Sequence, residues 1–396
     1  MTATDSATPP PLPAFDADAL IAAARQQTGL QDFGEPDVAE PLRVMIDSFK
    51  RDANLTPAGT AAQQMNLMRL LGNRLRMQKI LSAHPEIRKQ EIRGPIVIVG
   101  LPRSGTTKLQ RMMAADPALQ KIPFWRMLTP IPMDDAVPGQ PDPRIALAEA
   151  VTAYTRDNFP NFAAAHPMGA TEPEEEDFLM EHSLSTSVTY SSHRMPSYMD
   201  WALKIGPKPY YDQLKLFLQF FQWEDHAAGR MWLLKATCHL HRLRWLLQAF
   251  PDATVVHCHR NPVTSLTSLA DMFCTVRSMC SDSVDPLEVG EFTLNYSREQ
   301  LRQYIDQRAG LEAKHRFIDV SFNDIVANPF KIIEQVYGAA GIELTDAART
   351  AMQRWDQENP QHKHGKRDYL PQRLGYSEEK LRDGMAQYIG RFSQYF

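Results

Sequence analysis

Between Pro95 and Gly100 the chain runs Ile96-Val97-Ile98-Val99, four apolar residues in succession closed by a glycine. A strand buried on both faces has that unbroken pattern, whereas a half-exposed strand alternates. Met231 to Leu234, Thr254 to His259 and Arg316 to Val320 are further short runs with strand character. Helical spacing fills the stretches Thr106 to Ala115, His239 to Phe250, Pro262 to Met279 and Pro329 to Ala340. Pro262 falls in a first helical turn, where a missing N–H costs nothing. Alternating strands and helices predict an α/β fold with a parallel sheet flanked by helices.

Ahead of that region the period changes. Residues 14–94 carry only helical signals and form an N-terminal helical extension to a main domain over 95–396. Asp16 is placed as an N-cap, Phe15 and Leu20 as a hydrophobic staple, and Gly29 as the stop. Two more helices are expected from Val38 to Ala53 and from Pro57 to Ser82. In the second, Met65, Met68, Leu71, Leu75 and Ile80 fall near one face, either as core packing or as a pliable wall of an apolar pocket. Residues 1–13, with three prolines in succession at Pro9 to Pro11, predict a disordered tail. The segment 158–198 is irregular and rich in Glu, Ser, His and Pro, which suits a lid or acceptor-binding segment.

With 43% hydrophobic and 23% charged residues the chain has the balance of a globular protein. Its net charge of −4 offers no electrostatic case for nucleic acid or an anionic membrane, so any anion site must be a local cluster. The four cysteines do not make a disulfide scaffold and suit a reducing compartment. Cys238 and Cys258 have histidine neighbours, but alternation sends His257 and His259 to the face opposite Cys258, and no CxxC spacing occurs. No metal site is expected. The apolar runs are too short to span a bilayer and the N-terminus has no export signal, so a cytoplasmic location is expected.

The chemistry concentrates at Gly100-Leu101-Pro102-Arg103-Ser104-Gly105-Thr106-Thr107, between a strand and a helix. Such a turn aims backbone N–H groups and a helix N-terminus at one point, which is an anion site. It nearly matches the Walker A pattern, yet Thr106 stands where that pattern needs lysine. The cation is Arg103, inside the loop, and no carboxylate is evident to hold magnesium. A second element is Arg260 at the end of a strand, followed by Ser268 on the next helix, both able to converge on one phosphate. Lys235, ending the strand Trp232 to Leu234, projects from the carboxyl edge of the sheet, where ligands bind in open α/β folds.

Together these residues resemble the sulfotransferases that use 3′-phosphoadenosine-5′-phosphosulfate (PAPS). The loop is similar to that of the tyrosylprotein and bacterial branch, which carries arginine where the phenol and steroid enzymes carry lysine. The fold implied is a P-loop-like parallel sheet. The resemblance implies that Arg103, Ser104, Gly105, Thr106 and Thr107 hold the 5′-phosphate and sulfuryl group. It implies that Arg260 and Ser268 hold the 3′-phosphate and that Lys235 stabilises the leaving phosphate. The basic run His362 to Arg367, with Lys366, would close over the nucleotide.

Tyrosylprotein sulfotransferases have a glutamate base shortly after the loop helix. Here Ile122 to Arg126 contains none, and Arg126 stands near that place, which argues against protein-tyrosine sulfation. The candidate bases are His166 and Glu175, in a segment running His166-Pro167 to Pro173-Glu174-Glu175-Glu176. An imidazole titrates near neutrality and suits proton abstraction. For the glutamates, simple complementarity to a helix N-terminus is the competing explanation. The expected reaction is in-line sulfuryl transfer to a hydroxyl of a small or lipid-like alcohol or phenol, without metal. It releases adenosine 3′,5′-bisphosphate. A P-loop kinase or nucleotidase, and a non-catalytic nucleotide-binding protein, are the alternatives.

Overall fold

The computed structural model describes residues 12–133, 137, 139–360 and 370–396. The basic run with Lys366 and nearly all of the expected tail lie outside the described residues. Five parallel strands form one sheet in the order β2-β3-β1-β4-β5. They are β1 (Ile96–Gly100), β2 (Leu119–Gln120), β3 (Met231–Lys235), β4 (Thr254–His259) and β5 (Arg316–Ser321). The unbroken apolar runs have the cause expected of them, because each face of the sheet carries its own core. Val97, Val99, Trp232, Leu234 and Val255 pack on one face with Phe217 and Tyr304. Ile96, Ile98, Leu233, Val256 and Cys258 pack on the other with Leu109 and Ile333. Register fixes this sorting, since Val97 pairs with both Leu234 and Val255.

From β1 the chain runs out to β2, returns to β3, then passes over β1 to β4 and β5. The connections therefore leave β1 in opposite directions. The carboxyl ends of β1, β3 and β4 open a crevice at that switch point, the place where open α/β sheets bind ligands. Of the strands, only β2 left no signal in the sequence, being two residues long.

The N-terminal helices are Ala17–Thr28, Ala39–Asp52 and Pro57–Ala83. The Asp16 carboxylate caps the first, accepting from the amides of Asp18 and Ala19, and Gly29 ends it at φ +69°. Leu71 and Leu75 of the third helix are buried, but Met65 is 56% exposed, so the stripe is core only in its second half. A 27-residue helix drifts away from any fixed face, and the contact is lost at one end. Their core is shared with Leu184, Tyr190, Met195 and Tyr198. Asp52 fastens the two parts, accepting from Ser48 Oγ at 2.8 Å and Ser197 Oγ at 2.6 Å. The later half of segment 158–198 is thus built into a helical layer. No helix among the described residues is long and apolar enough to cross a membrane.

Candidate active site

The loop after β1 is shaped by positive φ angles at two residues. Gly105 lies at +91°, and Arg103, which is not a glycine, lies at +74°. A left-handed non-glycine residue costs of order 1–3 kcal/mol and persists only where its surroundings enforce it. Here Ser104 N and Oγ both donate to the Leu101 carbonyl, at 3.2 and 2.7 Å. Arg260 Nη1 donates to the Arg103 carbonyl at 2.7 Å. A side chain at Gly100 would meet Ser104 Oγ at 2.6 Å and the Cys258 carbonyl at 2.7 Å, so only glycine fits beside β4. The buried Ser104 hydroxyl therefore fastens the loop. The exposed Arg103 side chain reaches out, and its Nη1 donates to the Ala165 carbonyl at 3.1 Å. Thr106 and Thr107 open the helix Thr106–Met113, whose amides face the loop mouth. Lys108, the nearest lysine to the vacant Walker position, is bound to Asp356 at 2.8 Å.

Residue Ala165 ends the short helix Pro160–Ala165, and His166 follows it directly. The contact from Arg103 thus brings the loop after β1 to the residue before the candidate base. His166 Nε2 lies 3.2 Å from Glu174 Oε2, and its ring stacks on Phe162. Glu174 is buried and takes its second partner, Arg111 Nη2, at 2.5 Å. The Glu174 carbonyl accepts from Gln110.

The acidic run is laid out by backbone shape. Glu175 is extended, at φ −70° and ψ 128°, so side chains alternate, with Glu174 and Glu176 inward and Glu175 toward the crevice. Lys235, fully buried at the end of β3, donates from Nζ to Glu175 Oε1 at 3.0 Å. Thr237 N donates to Glu175 Oε2 at 3.2 Å. Glu176 accepts from the Lys235 amide at 2.8 Å and pairs with His239 Nε2 at 2.8 Å. Each glutamate has its own cation or imidazole, and none serves simply as charge at a helix N-terminus. Glu174, Glu176, His239 and Arg111 were not singled out in the sequence. Their one signal was the run of glutamates, which by itself cannot name partners 60 residues away.

Burial opposes the charge on Glu174, but His166, Lys235 and Arg111 outweigh it and hold the carboxyl at about 2. The folded-state value lies below the ordinary 4.5. Its contribution to stability is therefore complete above about pH 4.5 and is lost as pH falls toward 2. Glu174→Gln should flatten the acid limb of the stability–pH curve in that window. It should also destabilise at neutral pH by about 3–5 kcal/mol, the usual cost of breaking a buried pair. Urea melts at several pH values check both, and an unchanged acid slope would detach Glu174 from this network.

Arg260 stands just after β4 with its guanidinium 4.1 Å over the Phe322 ring. Asn261 caps the helix Pro262–Arg277, and Ser268 is buried in its second turn. Arg126 is not in the crevice chemistry: it binds Asp225 and Glu224 and lies over Phe221. The alternation expected along β4 is present, with the His257 and His259 rings 3.8 Å apart and tilted by 37° on one face and Cys258 in the core of the other. His257, His259 and Asp319 come within metal-ligand reach of one another. Arg308 already binds both Asp319 oxygens, at 2.5 and 2.6 Å, and so supplies the charge a cation would.

A model of the sulfotransferase family matches residues 95–346. The chain belongs to the sulfotransferase family. The protein is similar to the sulfotransferase STF1 of Mycobacterium tuberculosis, with 28% identity over 93% of this chain and 98% of that one and a TM-score of 0.80. Its fold is also that of the sulfotransferase STF9 of Mycobacterium avium, with 23% identity, 99% and 98% coverage and a TM-score of 0.84. No curated protein matches it. For this sulfotransferase the matched span begins at β1 and contains Arg103, His166, Glu175, Lys235, Arg260 and Ser268.

Proposed function

We propose that the protein transfers the sulfuryl group of PAPS to the hydroxyl of a small or lipid-like alcohol or phenol. The observation that carries this is the meeting of two cations with a base at the loop mouth. Arg103 reaches the residue before His166, and Lys235 reaches Glu175 beside Glu174. Arg103, the amide of Gly105, and Thr106 and Thr107 hold the 5′-phosphosulfate end, while Ser104 keeps the loop in shape. Arg260 and Ser268 hold the 3′-phosphate. The acceptor oxygen attacks sulfur in line as the bond to the bridging oxygen breaks. Lys235 meets the charge that grows on the leaving phosphate. The acceptor proton passes to His166. With Nε2–H directed at the Glu174 carboxylate, Nδ1 is left to accept it. Glu175 is the alternative base, but its oxygens are shared between Lys235 and Thr237.

The direct experiment is incubation of the purified protein with PAPS and a panel of hydroxyl-bearing metabolites, read by mass spectrometry. Sulfated product and adenosine 3′,5′-bisphosphate should form in equal amounts, at a rate that survives chelation. Turnover that vanishes with chelator and returns with magnesium would point to a kinase-like site instead.

His166→Ala should lower kcat for alcohols by about 10²–10⁴-fold, the usual contribution of a general base. Strongly acidic phenols lose their proton with little help, so their kcat should fall much less. A small and equal effect on both acceptor types would make His166 a structural residue and turn attention to Glu175.

A further inference from the structure

A cleft of about 800 Å³ opens among the helices Pro196–Ile205 and Pro286–Ala309 and the 3₁₀ turn Thr237–Arg242. None of the phosphate-loop residues lines it, nor do Lys235, His166, Glu175, Arg260 or Ser268. Its walls include Met199, Leu203, Trp245, Phe292 and Tyr296. Leu203 is 50% exposed, an apolar side chain left open to solvent at this cleft.

Arg242 also lines it, with its guanidinium 5.1 Å over the Tyr210 ring. Nε donates to His241 Nε2 at 3.2 Å. Nη1 is buried with no hydrogen-bond partner. Among the described residues no carboxylate forms an ion pair with it. Asp177 contributes an opposite charge, but its oxygens already accept from Thr186 at 3.1 Å and Ser187 at 2.6 Å. Burial, then the charge of Arg242, keeps His241 neutral. The carboxylates around the cleft are matched elsewhere: Glu288 by Arg194 at 2.9 Å, Glu291 by Lys380 at 3.2 Å and Glu299 by Arg302 at 2.7 Å. Among the described residues, Arg242 and the exposed Arg244 are the arginines of the cleft lining, and neither forms an ion pair.

A buried guanidinium nitrogen without a hydrogen-bond partner, beside an apolar cavity, is a place where an oxyanion gains a bond. A planar donor fork suits a two-oxygen head group, and the aromatic and aliphatic walls suit an apolar body. We propose that this cleft binds an amphiphilic organic anion, an apolar body bearing one carboxylate or sulfate-monoester group held by Arg242. The assignment stands whether or not the sulfuryl-transfer reading does.

Calorimetric titration of the full-length protein with decanoate, 1-decanol and decyltrimethylammonium holds the chain constant and varies the head. Decanoate should bind about tenfold or more tightly than decanol, as a charge-assisted hydrogen bond allows, and the ammonium least. Adenosine 3′,5′-bisphosphate should not displace it. Arg242→Gln should erase the preference for decanoate. Leu203→Trp, at a half-exposed wall position, should narrow the cleft and weaken decanoate binding without changing the melting temperature. Equal affinity for decanoate and decanol overturns the proposal, as does a folded Arg242→Gln protein that keeps the preference. If Arg242→Gln does not fold, Leu203→Trp decides, because unchanged decanoate affinity there places binding outside this cleft.

Discussion

Lys235→Ala should lower kcat for sulfuryl transfer by about 10²–10³-fold, far more than it weakens binding of adenosine 3′,5′-bisphosphate, and Arg103→Ala should do the same. On the proposed mechanism both cations meet charge that is larger in the transition state than in bound PAPS, so their loss should lower the rate by more than it weakens PAPS binding. Lys235 is fully buried and its ammonium is aimed by Glu175 at 3.0 Å, so it is oriented before substrate arrives. The substitution should leave the fold intact, because Glu175 keeps the Thr237 amide as a partner. Glu175 then offers a second readout. If it positions Lys235, Glu175→Gln costs far less in the Lys235→Ala background than in wild type, since the two act as a unit. Full additivity would separate them and favour an independent task for Glu175. Single-turnover rates and calorimetric affinities on the four proteins supply the cycle, and near-normal turnover of Lys235→Ala or Arg103→Ala removes that residue from the mechanism.

Adenosine 3′,5′-bisphosphate should bind about 10²–10⁴-fold more tightly than AMP, because each hydrogen bond to a charged group contributes about 1.5–3 kcal/mol and AMP has no 3′-phosphate to engage Arg260 and Ser268. Arg260→Ala should erase most of that gap. The arginine also donates to the Arg103 carbonyl, so its removal should loosen the loop after β1 and weaken both ligands together. The ratio of the two affinities cancels this shared loss and isolates the 3′-phosphate contact. Titration of both ligands against both proteins gives the ratio. Equal binding of AMP and the bisphosphate by wild type would sink the PAPS assignment.

Local sequence determined four of the five strands and the loop after β1. β1 and β3 lie where continuous apolar runs end in glycine or lysine, since a strand buried on both faces admits no polar alternation, whereas β5 at the sheet edge alternates. Arg103 without a Walker lysine was legible for the same reason: the loop is one contiguous stretch, and its chemistry follows from residue order. The strand-end positions of Lys235 and Arg260 were legible too, being the last residue of one strand and the first after another. Tertiary structure alone decided which groups those cations meet. That Glu174 binds Arg111 and His166, that Glu175 takes Lys235, and that Glu176 takes the Lys235 amide and His239 depends on an extended segment crossing the carboxyl edge of the sheet. The backbone hydrogen bonds from Phe124 to Glu172 and from Trp125 to Ala170 pin that segment. Three glutamates in a row carry no information about partners brought near by chain crossings. Burial then separates them physically, because a carboxylate enclosed by protein must find a cation or imidazole wherever the fold delivers one.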